Sequence, residues 1–497
     1  MQRTALLFAL LFLMTAAQAQ FLEIGPAEQR VPQSVEGALP SAPAPFLAPP
    51  AQRPPAGGML DPLLAQLLQH TLDSLQAHYN PIGLSAALAL PDGSIWEGAT
   101  GINSTAPGDT LHPGLLLGIG SVSKNLTAAA MLQLEVEGLL SLDDSLGRWL
   151  PPYPNIDGSI RLRRLLNHTS GIASYTDNPA FWQQVNSALG TPIAPTAILQ
   201  NYVNAPLFAP GAGWSYSNTN YLLAGLVIEA ATELPFYQAV RERLLLPQEL
   251  STVFLLPQET APQALGHMWV DINGDGVADN FTGLGLPLTA IFSGAWASGA
   301  YCSSAADMAR WIKLLMEGGV LPGASLGAMM ETVQVTPGFR YGLGLYRLDL
   351  QGQQWWGHDG YIFYQAMVLY QPELGIGMAV LSNDGEFEEM GPVFLALAST
   401  YQHYLVTSAT HLAFRGGIAV APNPFTDEIV LDFSTAPRAG RLQLLDAQGR
   451  TVAASVLPAG LPSGPSFRWQ LPPLPAGLYF LHLHDEAQVQ AVPLVKR

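Results

Sequence analysis

From Ser121 to about Glu137 the chain is apolar nearly all the way round a helix, with Leu126, Ala128 to Leu132 and Leu134 leaving no polar face, and Gly138 supplies a C-cap. Such a helix must lie at the centre of its domain. At its mouth stands Ser121-Val122-Ser123-Lys124, preceded by Gly118-Ile119-Gly120. Residues three apart on a helix share a face, so the Ser121 hydroxyl and the Lys124 amine are neighbours at a buried helix end. A lysine there can lose its proton and activate the serine as a nucleophile, whereas the plainer alternative makes Ser121 a helix N-cap.

The chain has 497 residues, 48% of them hydrophobic, enough for roughly three domains and a sizeable core. Charged residues make up only 12% and the net charge is −17, which opposes binding to phosphate backbones or anionic lipid. No nucleic acid partner is expected. Cys302 is the single cysteine, so no intrachain disulfide can form, and it reads as a small buried hydrophobe.

Arg3, the apolar run Ala5 to Leu13 and then Ala17-Gln18-Ala19 read as a signal peptide over residues 1–19, cut after Ala19. No other apolar stretch reaches transmembrane length, so no transmembrane segment is expected in the mature chain. Residues 20–58 are rich in Pro, Ala and Gln, as in Ala48-Pro49-Pro50 and Arg53-Pro54-Pro55, and read as an extended linker.

Helical spacing over Leu60 to His78 is followed by a hairpin, Gly83 to Leu90 and Ser94 to Thr100 around the turn Pro91-Asp92-Gly93. Helices are predicted around Tyr221 to Ala231, Phe236 to Leu245 and Ala305 to Glu317, and strands over Tyr341 to Leu348, Tyr361 to Tyr370 and Ile376 to Asn383. The early and late strands are expected to share one antiparallel sheet with the helical middle inserted between them, an α/β (α+β) architecture. After about residue 410 short strands with turn signals (Glu428 to Phe433, Leu442 to Leu445, Arg468 to Leu471, Leu478 to Leu483) predict a separate all-β sandwich.

Two further motifs follow the tetrad in order. Pro210-Gly211-Ala212-Gly213-Trp214-Ser215-Tyr216-Ser217-Asn218 is a glycine-rich loop entering a helix, and Trp356-Gly357-His358-Asp359-Gly360 leads into a strand. Serine, then Tyr-Ser-Asn, then His-x-Gly resembles the penicillin-recognising serine hydrolases, in the branch of class C β-lactamases, D-alanyl-D-alanine carboxypeptidases, D-aminopeptidases and related esterases. The segments Leu165-Leu166-Asn167-His168-Thr169-Ser170-Gly171-Ile172 and Ser298-Gly299, the latter leading to Ala305-Ala306-Asp307-Met308-Ala309, are also similar to that family. The domain so implied spans residues 59–406.

The resemblance implies that Ser121 is acylated, that Lys124 accepts its proton and that Tyr216 is a second acid/base serving the leaving group. It makes Asn218 a substrate amide contact that also fixes Lys124, and His358 a residue that tunes the field near Tyr216 where other branches carry Lys. The backbone N–H groups of Ser121 and of Tyr361, just after Gly360, become the oxyanion hole, and His168 stays structural. No cofactor for catalysis is implied.

Asp359 and Tyr361 occupy positions where carboxypeptidases and β-lactamases of this type usually carry hydroxyls that hold the substrate carboxylate. Residues two apart on a strand share a face, so Asp359 would bring negative charge to the carboxylate's place, unless it turns away into a hydrogen bond. The expected substrate is therefore a small molecule or peptide whose ester or amide lacks that carboxylate or carries a cation. A D-alanyl-D-alanine carboxypeptidase or class C-like β-lactamase is the alternative, and a non-catalytic binding protein on the same fold is the alternative of another class.

Asp271-Ile272-Asn273-Gly274-Asp275-Gly276-Val277-Ala278-Asp279 places oxygen ligands at Asp271, Asn273, Asp275 and Asp279 and a backbone carbonyl at Val277, the pattern of a calcium loop. A structural calcium is expected there, or else a polar turn, since the twelfth position is Thr282 in place of a bidentate Glu.

Lastly, Val420-Ala421-Pro422-Asn423-Pro424-Phe425, Leu444-Leu445-Asp446-Ala447-Gln448-Gly449-Arg450, Ala476-Gly477-Leu478-Tyr479-Phe480-Leu481 and Lys496-Arg497 resemble the C-terminal sorting domain of the type IX secretion system, over residues 413–497. This implies the type IX machinery as a partner and a secreted or cell-surface address.

Overall fold

The computed structural model describes residues 60–413 except 351. From 418 on it describes the tail without 422–424, 426, 434–439, 447–449, 458–465, 476, 485–488 and 497. The expected signal peptide and linker lie outside the described residues. The chain divides into two units, Leu75–Phe394 and Asp61–Ser74 together with the chain from Leu395 on. Residues 61–74 and 395–406, read from sequence as part of the hydrolase region, thus group with the tail.

The first unit is built on an eight-stranded sheet: β1 (Gly83–Ala89), β2 (Ile95–Gly101), β3 (Val333–Thr336), β4 (Phe339–Tyr341), β5 (Tyr346–Leu350), β6 (Gln353–Tyr361), β7 (Gln365–Gln371) and β8 (Ile376–Ser382). Its order is β2-β1-β8-β7-β6-β5-β4-β3, with every neighbouring pair antiparallel. β1 pairs with β8, Leu84 opposite Ser382, and so closes the early hairpin onto the late strands as expected. Both are buried along their whole length, which is why they read as continuous apolar runs.

Two predicted strands are each broken by a tight turn. Tyr341 to Leu348 divides into β4 and β5, because the Gly342 amide donates to the Leu345 carbonyl at 2.8 Å and turns the chain. Tyr361 to Tyr370 is divided by residues 362–364, where Phe363 adopts φ +59°, so Tyr361 ends β6 and Gln365 begins β7. Ile362, Phe363 and Tyr364 fill the second turn with no Gly, Pro or Asn to mark it, whereas the first carries Gly342 and Gly344, the latter at φ +73°.

The central helix α1 (Ser123–Val136) buries eleven of its fourteen residues, from Ser123 through Leu132 and Leu134, and α2 (Asn218–Thr232) packs against it. Polar side chains pin α1 at depth. Thr127 Oγ1 donates to the Ala297 carbonyl at 2.8 Å, and the Asn125 amide donates to the Gly344 carbonyl. On the sheet, α3 (Ala305–Met316) covers β1, β7 and β8.

In the second unit two antiparallel sheets share one core. Strands β9 (Ile418–Ala421), β10 (Glu428–Phe433) and β13 (Ser466–Gln470) form one, and β11 (Gly440–Asp446), β12 (Thr451–Leu457), β14 (Gly477–His484) and β15 (Val489–Lys496) the other, in the order β12-β11-β14-β15. Ile429, Leu431 and Trp469 of the first sheet meet Leu442, Leu481 and Leu494 of the second. This is a sandwich, with β9, β12 and β15 added to the four strands read from sequence.

Among the described residues no helix is long and apolar enough to cross a membrane.

Candidate active site

Ser121 lies in a single 3₁₀ turn, Gly120–Val122, and α1 begins at Ser123 with Val122 at the N-cap position. Capping is therefore not the role of Ser121. The turn holds Ser121 and Lys124 on one side, and the Lys124 Nζ donates to Ser121 Oγ at 2.8 Å. A second bond from Nζ runs to the carbonyl of Ser298 at 2.8 Å, and Lys124 is fully buried. Ser298-Gly299 stood out in the sequence, but nothing in its pattern shows that its carbonyl would orient the amine.

Tyr216 comes from the glycine-rich loop just before α2. Its ring lies 4.9 Å from Lys124 Nζ and is stacked on His168, with centroids 4.3 Å apart and planes tilted by 34°. His168 is a scaffold for that loop: its Nδ1 accepts from the backbone N–H of Ser217 at 3.1 Å. Burial first, and then the charge of Lys124, push its pKa well below the ordinary imidazole value, so it is neutral. Asn218 is the first residue of α2. Its backbone N–H donates to Ser174 Oγ at 3.1 Å and its side-chain amide to Thr176 Oγ1 at 3.3 Å.

The end of β6 forms the facing wall. Alternation puts His358 and Gly360 on one face and Asp359 and Tyr361 on the other. Gly360 presses against the 3₁₀ turn, where a Cβ would collide with the Ile119 carbonyl oxygen and stand 2.9 Å from the Ser121 nitrogen. Gly120 is the reciprocal case: at φ +48° its Cβ would strike the Tyr361 amide nitrogen and lie 2.7 Å from the Tyr361 carbonyl carbon. Glycine at both positions brings the amides of Ser121 and Tyr361 to the same place.

His358 is buried, and both its ring nitrogens are engaged. Nδ1 lies 2.5 Å from the Asp359 carbonyl oxygen and Nε2 lies 2.8 Å from the Tyr341 hydroxyl. The first contact requires N–H at Nδ1, so Nε2 accepts from Tyr341. Burial, reinforced by the charge of Lys124, lowers the His358 pKa to about 3. His358 therefore adds no charge where a lysine would bring a second ammonium.

The Asp359 side chain is half exposed, with Oδ1 3.5 Å from His358 Nδ1, and because His358 is neutral this contact is not an ion pair. Cys302 is buried with its thiol pKa pushed up, which leaves it inert. The Tyr341 hydroxyl and the role of the Ser298 carbonyl are what sequence reasoning missed, since neither residue lies in the three motifs.

The loop from Asp271 to Asp279 is closed by its own amides. Asp271 Oδ1 accepts from Gly274 at 2.7 Å and Oδ2 from Gly276 at 2.7 Å, Asn273 Oδ1 accepts from Asp275 at 2.9 Å and Asp275 Oδ1 from Val277 at 2.9 Å. Among the described residues no three His, Cys, Asp or Glu side chains converge as a metal site requires. These hydrogen bonds close a turn through Asp271, Asn273, Asp275 and Val277, the loop at which the sequence, together with Asp279, predicts calcium.

With the geometry in place, residues 65–400 match the family described as Beta-lactamase. The chain belongs to the Beta-lactamase family. Among its relatives, penicillin-binding protein 4* of Bacillus subtilis (strain 168) is 31% identical over 153 residues, 31% of this chain and 33% of that protein. Esterase EstB of Burkholderia gladioli is 31% identical over 188 residues, 36% of this chain and 48% of that protein. The chain thus spans one third to one half of these curated relatives. The crystal structure of a D-stereospecific amidohydrolase from Streptomyces sp. superimposes with a TM-score of 0.59 at 29% identity, covering 67% of this chain and 98% of that one. Residues 419–497 match the secretion system C-terminal sorting domain, which marks the chain for type IX export to the cell surface or beyond.

Proposed function

We propose that this Beta-lactamase family member is a secreted serine hydrolase that cleaves an ester or amide through an acyl-enzyme on Ser121. The observation that carries the reading is the 2.8 Å hydrogen bond between Lys124 Nζ and Ser121 Oγ, made by an amine buried in the core. A packed core has no structural need for such an amine, because burying it costs free energy that an apolar residue would not. This favours an enzyme over a binding protein on the same fold.

In acylation, Ser121 Oγ attacks the substrate carbonyl and its proton passes to Lys124. The bond from carbon to the leaving oxygen or nitrogen breaks as Tyr216 delivers a proton to that atom. The amides of Ser121 and Tyr361 hold the developing oxyanion, and Asn218 takes up the substrate amide. Water then hydrolyses the ester, with the same groups acting in reverse. His358 passes no proton in these steps, since both its nitrogens are engaged.

Asp359 supports a substrate without a terminal carboxylate, or one with a cation, over D-alanyl-D-alanine or a β-lactam. EstB and the D-stereospecific amidohydrolase are relatives whose names fit that reading. Side-by-side turnover of nitrophenyl esters, D-amino-acid amides and a chromogenic cephalosporin tests it. The first two classes are expected to be cleaved faster; preferred cleavage of the cephalosporin would reverse the assignment.

A further inference from the structure

The turn that ends β6 carries a conformational oddity next to the nucleophile. Ile362 and Tyr364 are buried, the first against Gly118 and the second with its hydroxyl donating to the Gly266 carbonyl at 2.6 Å. Between them Phe363 is held at φ +59°, a left-handed conformation in which a bulky side chain is disfavoured, and its ring is only partly buried. Glycine or asparagine would sit there without strain, so the phenyl ring calls for an explanation beyond the turn.

That ring joins a row. Tyr361 lies 5.6 Å from it and Trp182 6.2 Å, the latter edge-on at 88°, and all three rings are partly exposed. Trp182 is fixed from behind. Its Nε1 donates to the Thr176 carbonyl at 2.8 Å, and the buried Phe181 packs edge-on at 5.2 Å. Thr176 in turn receives the Asn218 side-chain amide. The row therefore spans the two walls of the site, from the Tyr361 amide beside Ser121 to the residue that holds Asn218.

We propose that Tyr361, Phe363 and Trp182 form an aromatic platform that selects a planar aromatic group on the acyl side of the scissile bond, an inference that rests on the Ser121 acyl-enzyme reading. With Tyr361 tilted at 54° to Phe363 and Trp182 edge-on to it at 88°, the row presents both ring faces and ring edges to a further ring, and an alkyl group of the same length gains less from them. The platform begins at a proposed oxyanion donor, so what it recognises is attached to the acyl carbon and not to the leaving group.

The test keeps p-nitrophenol as the common leaving group and compares kcat/KM for phenylacetyl and acetyl esters, in wild type and in Trp182→Ala, Trp182→Phe and Phe363→Gly. Glycine suits the left-handed turn, and melting curves confirm that each variant is folded. The phenylacetyl-to-acetyl ratio should fall at least about fivefold in Trp182→Ala and Phe363→Gly and be largely kept in Trp182→Phe. A ratio within about twofold of wild type in both ring-deleting variants overturns the platform. Because acetyl ester turnover would persist in that case, this outcome leaves the acyl-enzyme reading standing, whereas no turnover of either ester by wild type contradicts both.

Discussion

Tyr341 holds His358 in one tautomer, its hydroxyl 2.8 Å from Nε2 while the Asp359 carbonyl occupies Nδ1. A histidine so bound is a neutral, fixed part of the wall beside Tyr216. It adds no positive charge of its own to that wall.

The neutrality of His358 gives a pH dependence with a definite sign. In the unfolded chain it takes up a proton near 6.5, whereas in the folded protein it does so only at about 3. The unfolded state binds more protons between these values, so the stability it confers is complete above 6.5 and is lost as pH falls. One such group contributes a slope of about 1.4 kcal/mol per pH unit within that window. Denaturant unfolding at pH 7, 6 and 5 should show this loss, and His358→Asn should reduce the slope by one proton's worth. Catalytic rate should show no limb near 6.5 assignable to His358.

Gly360 cannot take a side chain without moving the strand off the nucleophile's turn. Gly360→Ala is expected to cost about 1–3 kcal/mol of stability. Because it displaces the Ser121 and Tyr361 amides, it should also lower kcat by about 100-fold or more. Thermal melts and ester hydrolysis on the same preparation check both numbers.

Asp359 is half exposed, so water screens the repulsion it exerts on a substrate carboxylate to about 1 kcal/mol. Asp359→Thr should accordingly raise kcat/KM for a chromogenic cephalosporin about fivefold and leave neutral esters nearly unaffected. Unchanged cephalosporin turnover would mean that the carboxylate does not face the substrate.

The loop at Asp271 is closed by two backbone amides that share one carboxylate. Asp271→Ala removes the acceptor of the Gly274 and Gly276 amides and should lower stability by about 1 kcal/mol in thermal melts without calcium. The calcium expectation from the sequence predicts a calcium-dependent rise in wild-type Tm that vanishes in Asp275→Ala, and a wild-type Tm unmoved by calcium would contradict it.

Much of this was legible in the sequence, for reasons that differ between elements. The centrality of α1 follows from its apolar circumference, and the pairing of β1 with β8 from two runs with no polar side. Ser121 and Lys124 declare themselves because helical spacing fixes their separation. The roles of Ser298 and Tyr341 did not, because one contributes through a backbone carbonyl and the other through a single hydroxyl, each brought close only by tertiary packing. The turn at 362–364 was invisible because apolar residues hold it through burial, whereas Gly342 and Gly344 did mark the turn at 342–345 inside a run that otherwise reads as one strand. Asp271 to Asp279 has a metal loop's spacing, yet spacing does not say whether side chains converge on an ion or fold back on their own amides.

The most direct test of the central claim is intact-protein mass spectrometry after exposure to a fluorophosphonate, with peptide mapping of the adduct. One adduct, on Ser121, is expected in wild type, with none in Ser121→Ala and strongly slowed labelling in Lys124→Ala. Labelling that persists in folded Ser121→Ala, or a folded wild type that takes up no label, would contradict a Lys124-activated Ser121 nucleophile.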